Sequence, residues 1–243
     1  MGERLSPLGK IIRQYELFVQ ENRDDLLRRF SGEAGRHICQ TVDRIVKFLE
    51  CKPPARVLDL ASGTGCETIE LARRGYEVIG LDCTPAMLEI GREMARLQRA
   101  TVAWVVRDMR SIRYENEMDY VLMRDVIFGI FENGREDMLV LRNITRAVKP
   151  GGRCLFEVYN KEFAVEHAVE GKFTYDPGTD RFVRDKDTPN EIRSVKLYSH
   201  EEWQEMLAEN GMQVVRMDGW KWKGDPNPPP WRADLIVAEK TPT

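Results

Sequence analysis

A chain of 243 residues with 42% hydrophobic content can bury the core of one α/β domain with an appendage, and is short for two independent domains. Its formal net charge of −3 argues against a polyanion-binding surface, and no apolar run approaches the roughly 20 residues that a membrane-spanning helix needs. Cys39, Cys51, Cys66, Cys83 and Cys154 never form a CxxC pair, and His37, His167 and His200 stand apart from them, so reduced thiols of a cytoplasmic protein and no metal site are expected. The opening MGERLSPLGK lacks the apolar core of a signal peptide and a clear myristoylation pattern.

The first 36 residues alternate in charge and place Leu8, Ile11, Ile12, Tyr15, Phe18 and Val19 on one helical face, with Gly32 and Gly35 predicted to break the helix. A second helix carries Ile38, Val42, Ile45, Val46 and Leu49 and stops at Pro53-Pro54. From Arg56 strand and helix alternate, the pattern of a parallel sheet with crossover helices. Strands are predicted at Val57–Leu60, Tyr76–Leu81, Val102–Val106, Tyr120–Met123 and Cys154–Val158. Helices are predicted at Glu67–Arg74, from the Thr84 cap and Pro85 to about Ala100, and at Arg135–Val148 up to the turn Lys149-Pro150-Gly151-Gly152. Turn signals between residues 161 and 198 suggest an inserted hairpin. Ser199 and Glu202 form a capping box for a helix ending at Asn210-Gly211, and strands at about Gln213–Met217 and Leu235–Ala238 close the chain. Trp220, Trp222 and Trp231 in the link between them read as packing for that terminal pair.

Ligands of an open parallel sheet sit outside the carboxyl ends of its strands. Asp59 to Gly65 follows the first strand, Asp82 the second, Asp108 the third, and Arg124 and Asp125 the fourth. Gly63 and Gly65 let a ligand lie against backbone. The dinucleotide fingerprint would place another glycine where Thr68 stands, which disfavours an NAD-dependent reductase. Asp59 would repel a pyrophosphate but attract an ammonium, which points to a nucleoside bearing an amino acid. Asp82 is placed to accept both hydroxyls of a ribose, since Thr84 suits the capping task, and Asp108 to accept an exocyclic amine.

The run VLDLASGTG from Val57 to Gly65, with Asp82, Asp108 and the KPGG turn, resembles a class I S-adenosylmethionine-dependent methyltransferase over roughly residues 50 to 240. The resemblance implies a Rossmann-like seven-stranded, mostly parallel α/β sheet with an antiparallel last strand. It divides the chain into an N-terminal helical lid (residues 1–50) and an S-adenosylmethionine-binding domain (residues 51–243), with a β-hairpin cap inserted at about 161–198 after the fifth strand. Carried over by position, Asp59, Ala61, Gly63 and Gly65 surround the methionine part and ribose, and Asp82 takes the ribose hydroxyls. Cys83 and Met87 lie beside the adenosine, Asp108 and Met109 flank adenine, and Arg124 meets the methionine moiety through its backbone.

The helix bearing Tyr15, and the sequence EVYN (Glu157 to Asn160) leading into an insertion, look like those of small-molecule N-, O- and C-methyltransferases. Methyl transfer needs alignment, exclusion of water and removal of a proton, for which Tyr159 and His167 are the candidate catalytic groups. Tyr15, Phe128, Phe131 and Tyr159 are candidates for the substrate pocket, and Arg124 with Asp125 for an ion pair or a substrate-charge reader. The expected partner is a small molecule, with no nucleic acid and no membrane; a homodimer is open. The rival functions are an RNA or protein methyltransferase, and a non-catalytic S-adenosylmethionine-binding partner subunit. No Asn/Asp-Pro-Pro-Tyr/Trp motif follows Met123, where the chain reads RDVIFGIF.

Overall fold

Apolar residues at helical spacing build α1 (Pro7–Leu27) and α2 (Gly32–Leu49), and α2 buries Ile38, Val42, Ile45, Phe48 and Leu49 on one face. The computed structural model describes residues 7–166, 173–184, 194–219 and 233–242. The break between α1 and α2 falls at residues 28–31, and Gly35 lies inside α2 instead of ending a helix. Its role is close approach: a Cβ there would lie 2.7 Å from the carbonyl carbon of Phe30.

Contacts divide the chain into two units at Ile112/Arg113. The first unit continues with β1 (Arg56–Leu60), α3 (Cys66–Arg73), β2 (Glu77–Asp82), α4 (Pro85–Leu97) and β3 (Ala103–Val106). The strands pair in parallel, β1 with β2 and β2 with β3. Strand β1 is buried along Val57 to Leu60, as a strand covered on both faces must be. Val19 and Leu26 of α1 pack into one apolar cluster with Ile69 of α3 and Ile90 and Met94 of α4. Arg74 ties α3 to α2, pairing with Glu70 at 2.8 Å and Asp43 at 2.6 Å and donating to the Cys39 carbonyl at 3.0 Å.

The second unit holds β4 (Met118–Met123), α5 (Gly134–Ala147), β5 (Val148–Tyr159), α6 (Lys161–Glu166), β6 (Phe173–Asp176), β7 (Arg181–Arg184), β8 (Ser194–Lys196), α7 (His200–Glu209), β9 (Met212–Gly219) and β10 (Ala233–Lys240). Strands β4 and β5 run parallel, whereas β10 runs antiparallel to both β5 and β9. The Lys149 to Gly152 segment does not separate helix from strand as expected. It bulges within β5: Met118 pairs with Val148 and Tyr120 with Arg153, leaving residues 149–152 opposite Asp119 alone. The Lys149 ammonium closes the bulge on the Asp119 carboxylate at 2.6 Å. Asn133 caps α5 by accepting from the Arg135 and Glu136 N–H groups, and the Ser199–Glu202 capping box forms at α7. The insertion is more than a hairpin, because β6, β7 and β8 form a three-stranded antiparallel sheet preceded by α6. Trp203 of α7 is buried against Phe128, Phe156 and Tyr198 at ring separations of 4.7, 5.2 and 6.2 Å.

Seven strands share one sheet in the order β3-β2-β1-β4-β5-β10-β9, the Rossmann-like arrangement with antiparallel β10 that the sequence led us to expect. No helix among the described residues is long and apolar enough to cross a membrane.

Candidate functional site

The loop between β1 and α3 is built from a buried acid outward. Asp59, 6% exposed near the end of β1, accepts a short hydrogen bond from the Thr68 hydroxyl, which is itself wholly buried. Thr68, counted by sequence as a missing glycine, is therefore the group that satisfies the acid. Beyond β1 the backbone passes through left-handed conformations at Ala61 (φ 56°), Gly63 (φ 55°) and Gly65 (φ 71°). The turn is held by Ser62 N–H donating to the Leu81 carbonyl at 3.0 Å and Gly65 N–H donating to the Ser62 carbonyl at 2.8 Å.

Asp82, at the end of β2, accepts from Gly63 N–H at 3.0 Å and from Thr84 N–H at 2.8 Å, one bond on each carboxylate oxygen. Thr84 occupies the N-cap of α4 with Pro85 in the first turn, as expected, but its side chain makes no cap hydrogen bond. Asp82 instead ties the end of β2 to the glycine loop and to the residue that precedes α4. Burial pushes its pKa above the usual carboxylate range, against the pull of the Thr84 and Gly63 amides.

Cys83 follows, its thiol pushed up to about 11 by burial and the adjacent Asp82, so it is a neutral, weakly polar wall. The Met87 side chain is buried in the α1–α3–α4 cluster, against which Tyr15 also packs. Asp108 begins the 3₁₀ turn Met109–Ser111, accepting from Arg110 N–H at 2.8 Å. The Arg110 guanidinium clasps the same carboxylate through Nε at 3.0 Å and Nη2 at 2.6 Å. Burial opposes ionisation of Asp108, but the Arg110 contacts outweigh it and hold the acid below its ordinary range. Neither Thr68 nor Arg110 was singled out as a site partner from sequence, although each lies within nine residues of the acid it serves.

In the second unit, the Arg124 guanidinium pairs with Glu157 of β5 at 3.1 Å, and the Asp125 N–H donates to the same carboxylate at 3.3 Å. Asp125 keeps its own side chain largely exposed, 4.0 Å from Arg124. Glu157 had a visible signal, an acid inside an apolar strand, yet only its place in EVYN was read. Asn160 of the same sequence donates to Asp234 at 2.6 Å and accepts from the Phe163 N–H. Tyr159 is buried 5.5 Å from the Phe182 ring, within a cluster that includes Val195 and Leu197. Phe128 is buried against Trp203 and Tyr198. Phe131 offers its carbonyl to Arg181 of β7, which also donates to the Gly129 carbonyl and to Ser194. His167, Trp220, Trp222 and Trp231 lie outside the described residues.

The first unit suits the nucleoside that its acids suggest. A Cβ at Gly63 would meet nothing within 4 Å, so the loop presents bare backbone on an open side. Each Asp82 oxygen accepts from an amide, Gly63 on one and Thr84 on the other, and the Thr84 side chain and Cys83 backbone also reach the carboxylate. The buried Ser62 hydroxyl has no hydrogen-bond partner among the described residues. Asp108 fits less freely, since an incoming amine must share its carboxylate with Arg110. Among the described residues no group of three His, Cys, Asp or Glu side chains could hold a metal ion.

Comparisons agree with the fold and give its family. The family described as a methyltransferase domain matches residues 57–152. The cypemycin N-terminal methyltransferase of a Streptomyces species is 30% identical over 206 residues, covering 76% of this chain and 82% of that protein. A demethylmenaquinone methyltransferase of Corynebacterium kroppenstedtii is 37% identical over 108 residues, but the match spans only 43% of its length and 44% of this chain. The Burkholderia thailandensis 1,6-didemethyltoxoflavin-N1-methyltransferase, solved with 1,6-didemethyltoxoflavin and S-adenosylhomocysteine, shares the fold at a TM-score of 0.63 and 16% identity, over 99% of this chain and 93% of that one. With a relative matched at that identity across most of its length, the chain belongs to the class I S-adenosylmethionine-dependent methyltransferases.

Proposed function

We propose that this protein binds S-adenosylmethionine at the β1–α3 loop and transfers its methyl group to a small-molecule acceptor in the cytoplasm, with S-adenosylhomocysteine as the other product. The observation that carries this is Asp82, a buried carboxylate bonded at once to the glycine loop and to the start of α4. Bound there, the cofactor supplies an electrophilic methyl on a sulfonium. The chain's residues bind and orient. Asp59, Ala61, Gly63 and Gly65 shape the cradle, Asp82 takes the ribose hydroxyls, and Cys83, Met87, Asp108 and Met109 border the adenosine. Arg124 contributes its backbone to the methionine end, while its side chain stays with Glu157.

Residues 1–50 act as a lid and residues of about 161–198 as a cap over the transfer site, within a binding domain of residues 51–243. Tyr15 and Phe128 contribute to the acceptor pocket, and Tyr159 orients the acceptor or takes its proton, a role in which His167 is the alternative. One compared protein is named for methylation at a position N1 and another for methylation of an N-terminus, which supports a nitrogen acceptor. The name of the cypemycin enzyme also supports a second reading, in which the acceptor is the amino terminus of a peptide.

Calorimetry of the full chain with S-adenosylhomocysteine tests the cofactor site. Tight binding, weakened about a hundredfold in Asp82→Ala, is expected from the loss of charge-assisted hydrogen bonds worth about 1.5–3 kcal/mol each. Unchanged affinity would remove Asp82 from the site. Incubation with labelled cofactor and a fractionated metabolite extract, set against a panel of free peptides, then separates the two acceptor classes. Tyr159→Phe is expected to slow transfer without altering cofactor affinity.

A further inference from the structure

Three glycines of the first unit face one side chain, and nothing in the cofactor reading uses it. Trp104 stands on β3 directly opposite Gly80 of β2 in the parallel register. A Cβ added at Gly80 would lie 2.7 Å from its Cζ3 and 2.8 Å from its Cε3. One added at Gly91 of α4 would lie 2.8 Å from Cη2, and one added at Gly65 would land on Cη2 and lie 2.7 Å from Cζ3. The six-membered edge of the indole therefore fills a slot whose walls come from β2, α4 and the N-cap of α3. Thr68 closes the slot: its Cβ would stand 3.3 Å from a side chain at Gly65, and its Cγ2 3.1 Å from one at Gly80.

Gly65 was expected to be small so that a ligand could approach. Only Gly63 has that openness; Gly65 is small because Trp104 occupies its side-chain direction. The position of the cradle then follows from three contacts on one turn. Asp82 holds the Gly63 amide, the Leu81 carbonyl holds the Ser62 amide, and the Trp104 ring abuts Gly65, whose own amide closes the turn on the Ser62 carbonyl. The first is a hydrogen bond to a side-chain carboxylate, the second a backbone hydrogen bond and the third a rigid wedge. A Cβ at Gly65 or Gly80 would meet both the ring and the side chain of Thr68, the residue whose hydroxyl donates to Asp59.

We infer that Trp104 is a positioning residue for the cofactor loop, setting the place of Gly63 and of the Asp59–Thr68 pair by filling the slot among Gly65, Gly80 and Gly91. This rests on the cofactor site proposed above. Removing the ring leaves a void that three glycines cannot collapse to fill, because none has a side chain to move into it. The ring in turn has no room to swing away from a methyl added at one glycine, since the other two already border it.

The test is calorimetric titration of Trp104→Leu, Trp104→Phe and Gly80→Ala chains with S-adenosylhomocysteine, with thermal midpoints recorded separately. Asp82→Ala serves as the reference for loss of the site itself. Binding by the wild type establishes the cofactor reading, and without it that reading fails before Trp104 is in question. Given binding, Trp104→Leu is expected to raise Kd about tenfold or more, as displaced binding groups do. Trp104→Phe should fold and show a smaller rise of the same kind. Gly80→Ala should weaken binding in the wild type but change it less than twofold in the Trp104→Leu background, where the opposing ring is gone. A lowered midpoint with Kd held within twofold in both Trp104 variants would overturn the inference and leave the ring as core packing alone. So would equal effects of Gly80→Ala in the two backgrounds.

Discussion

The loop after β1 and the loop after β4 are both strand-end loops, but they are held in different ways. The first is held within its own unit, by its backbone, by acids within 20 residues of it (Asp59 through Thr68, and Asp82 through Gly63 and Thr84) and by the Trp104 ring against Gly65. The second, residues 124–133, is held by side chains from distant segments. Glu157 receives the Asp125 amide, and Arg181 of the inserted sheet donates to the carbonyls of Gly129 and Phe131. Lys196 adds a backbone hydrogen bond to the Gly129 carbonyl at 2.8 Å. A loop supported locally keeps its shape whatever is inserted later in the chain, whereas one supported from afar can change with the insertion. The first arrangement suits a ligand common to a whole family, the second an acceptor that varies within it.

That contrast can be broken most forcefully at Trp203. Its replacement by alanine should cost about 3–5 kcal/mol of stability, because a wholly buried indole leaves a large cavity beside Phe128 and Phe156. Denaturant melts would measure this, and S-adenosylhomocysteine affinity of the remaining folded protein should stay within twofold. A large affinity loss there would mean the two loops are not independently supported.

Arg181→Ala comes next, with about 2–3 kcal/mol of local stability lost as its hydrogen bonds to loop carbonyls go. Hydrogen exchange should quicken across residues 124–133 and remain unchanged across residues 57–65. Thr68→Val should cost about 1–3 kcal/mol, since the isosteric change leaves the buried Asp59 without the hydroxyl it accepts from. Thr68→Gly, which restores the dinucleotide pattern, should do no better; NAD binding by that variant would undermine the role given to Asp59.

The smallest effect is that of pH. An acid whose pKa is raised stays protonated to higher pH, and protonated Asp82 has lost charge that a ribose hydroxyl would meet. S-adenosylhomocysteine affinity should therefore fall as pH drops through the raised pKa, beginning above the ordinary aspartate value of about 3.9. The same burial makes ionised Asp82 a burden to folding. Its contribution to stability is greatest below that window and falls as pH rises through it. An Asp82→Asn chain should show neither dependence.

How far the sequence carried differs along the chain for the same reason. The alternation from Arg56, the acids at the ends of β1 and β2 and the capping box at Ser199 are local patterns, and all reappear in the structure. The KPGG bulge was misplaced because four residues spent opposite Asp119 look, in sequence, like any helix-ending turn. The inserted sheet was read as a hairpin because its three strands are only three or four residues long, and turn signals mark reversals without counting partners.

The sequence by itself determined the alternation of strand and helix and the family of the ligand, because spacing and residue type act over a few neighbours and a bare glycine loop tolerates few substitutes. Only the tertiary structure decided why Thr68 replaces a glycine, why Gly65 must be small and what holds the loop after β4. The first answer lies in Asp59, nine residues from Thr68, and the other two in Trp104, Glu157 and Arg181, residues 32 to 52 positions away from Gly65, Asp125, Phe131 and Gly129, the residues they support. Contacts over such separations leave no periodic trace in a single chain, since nothing about either partner changes until folding brings them together.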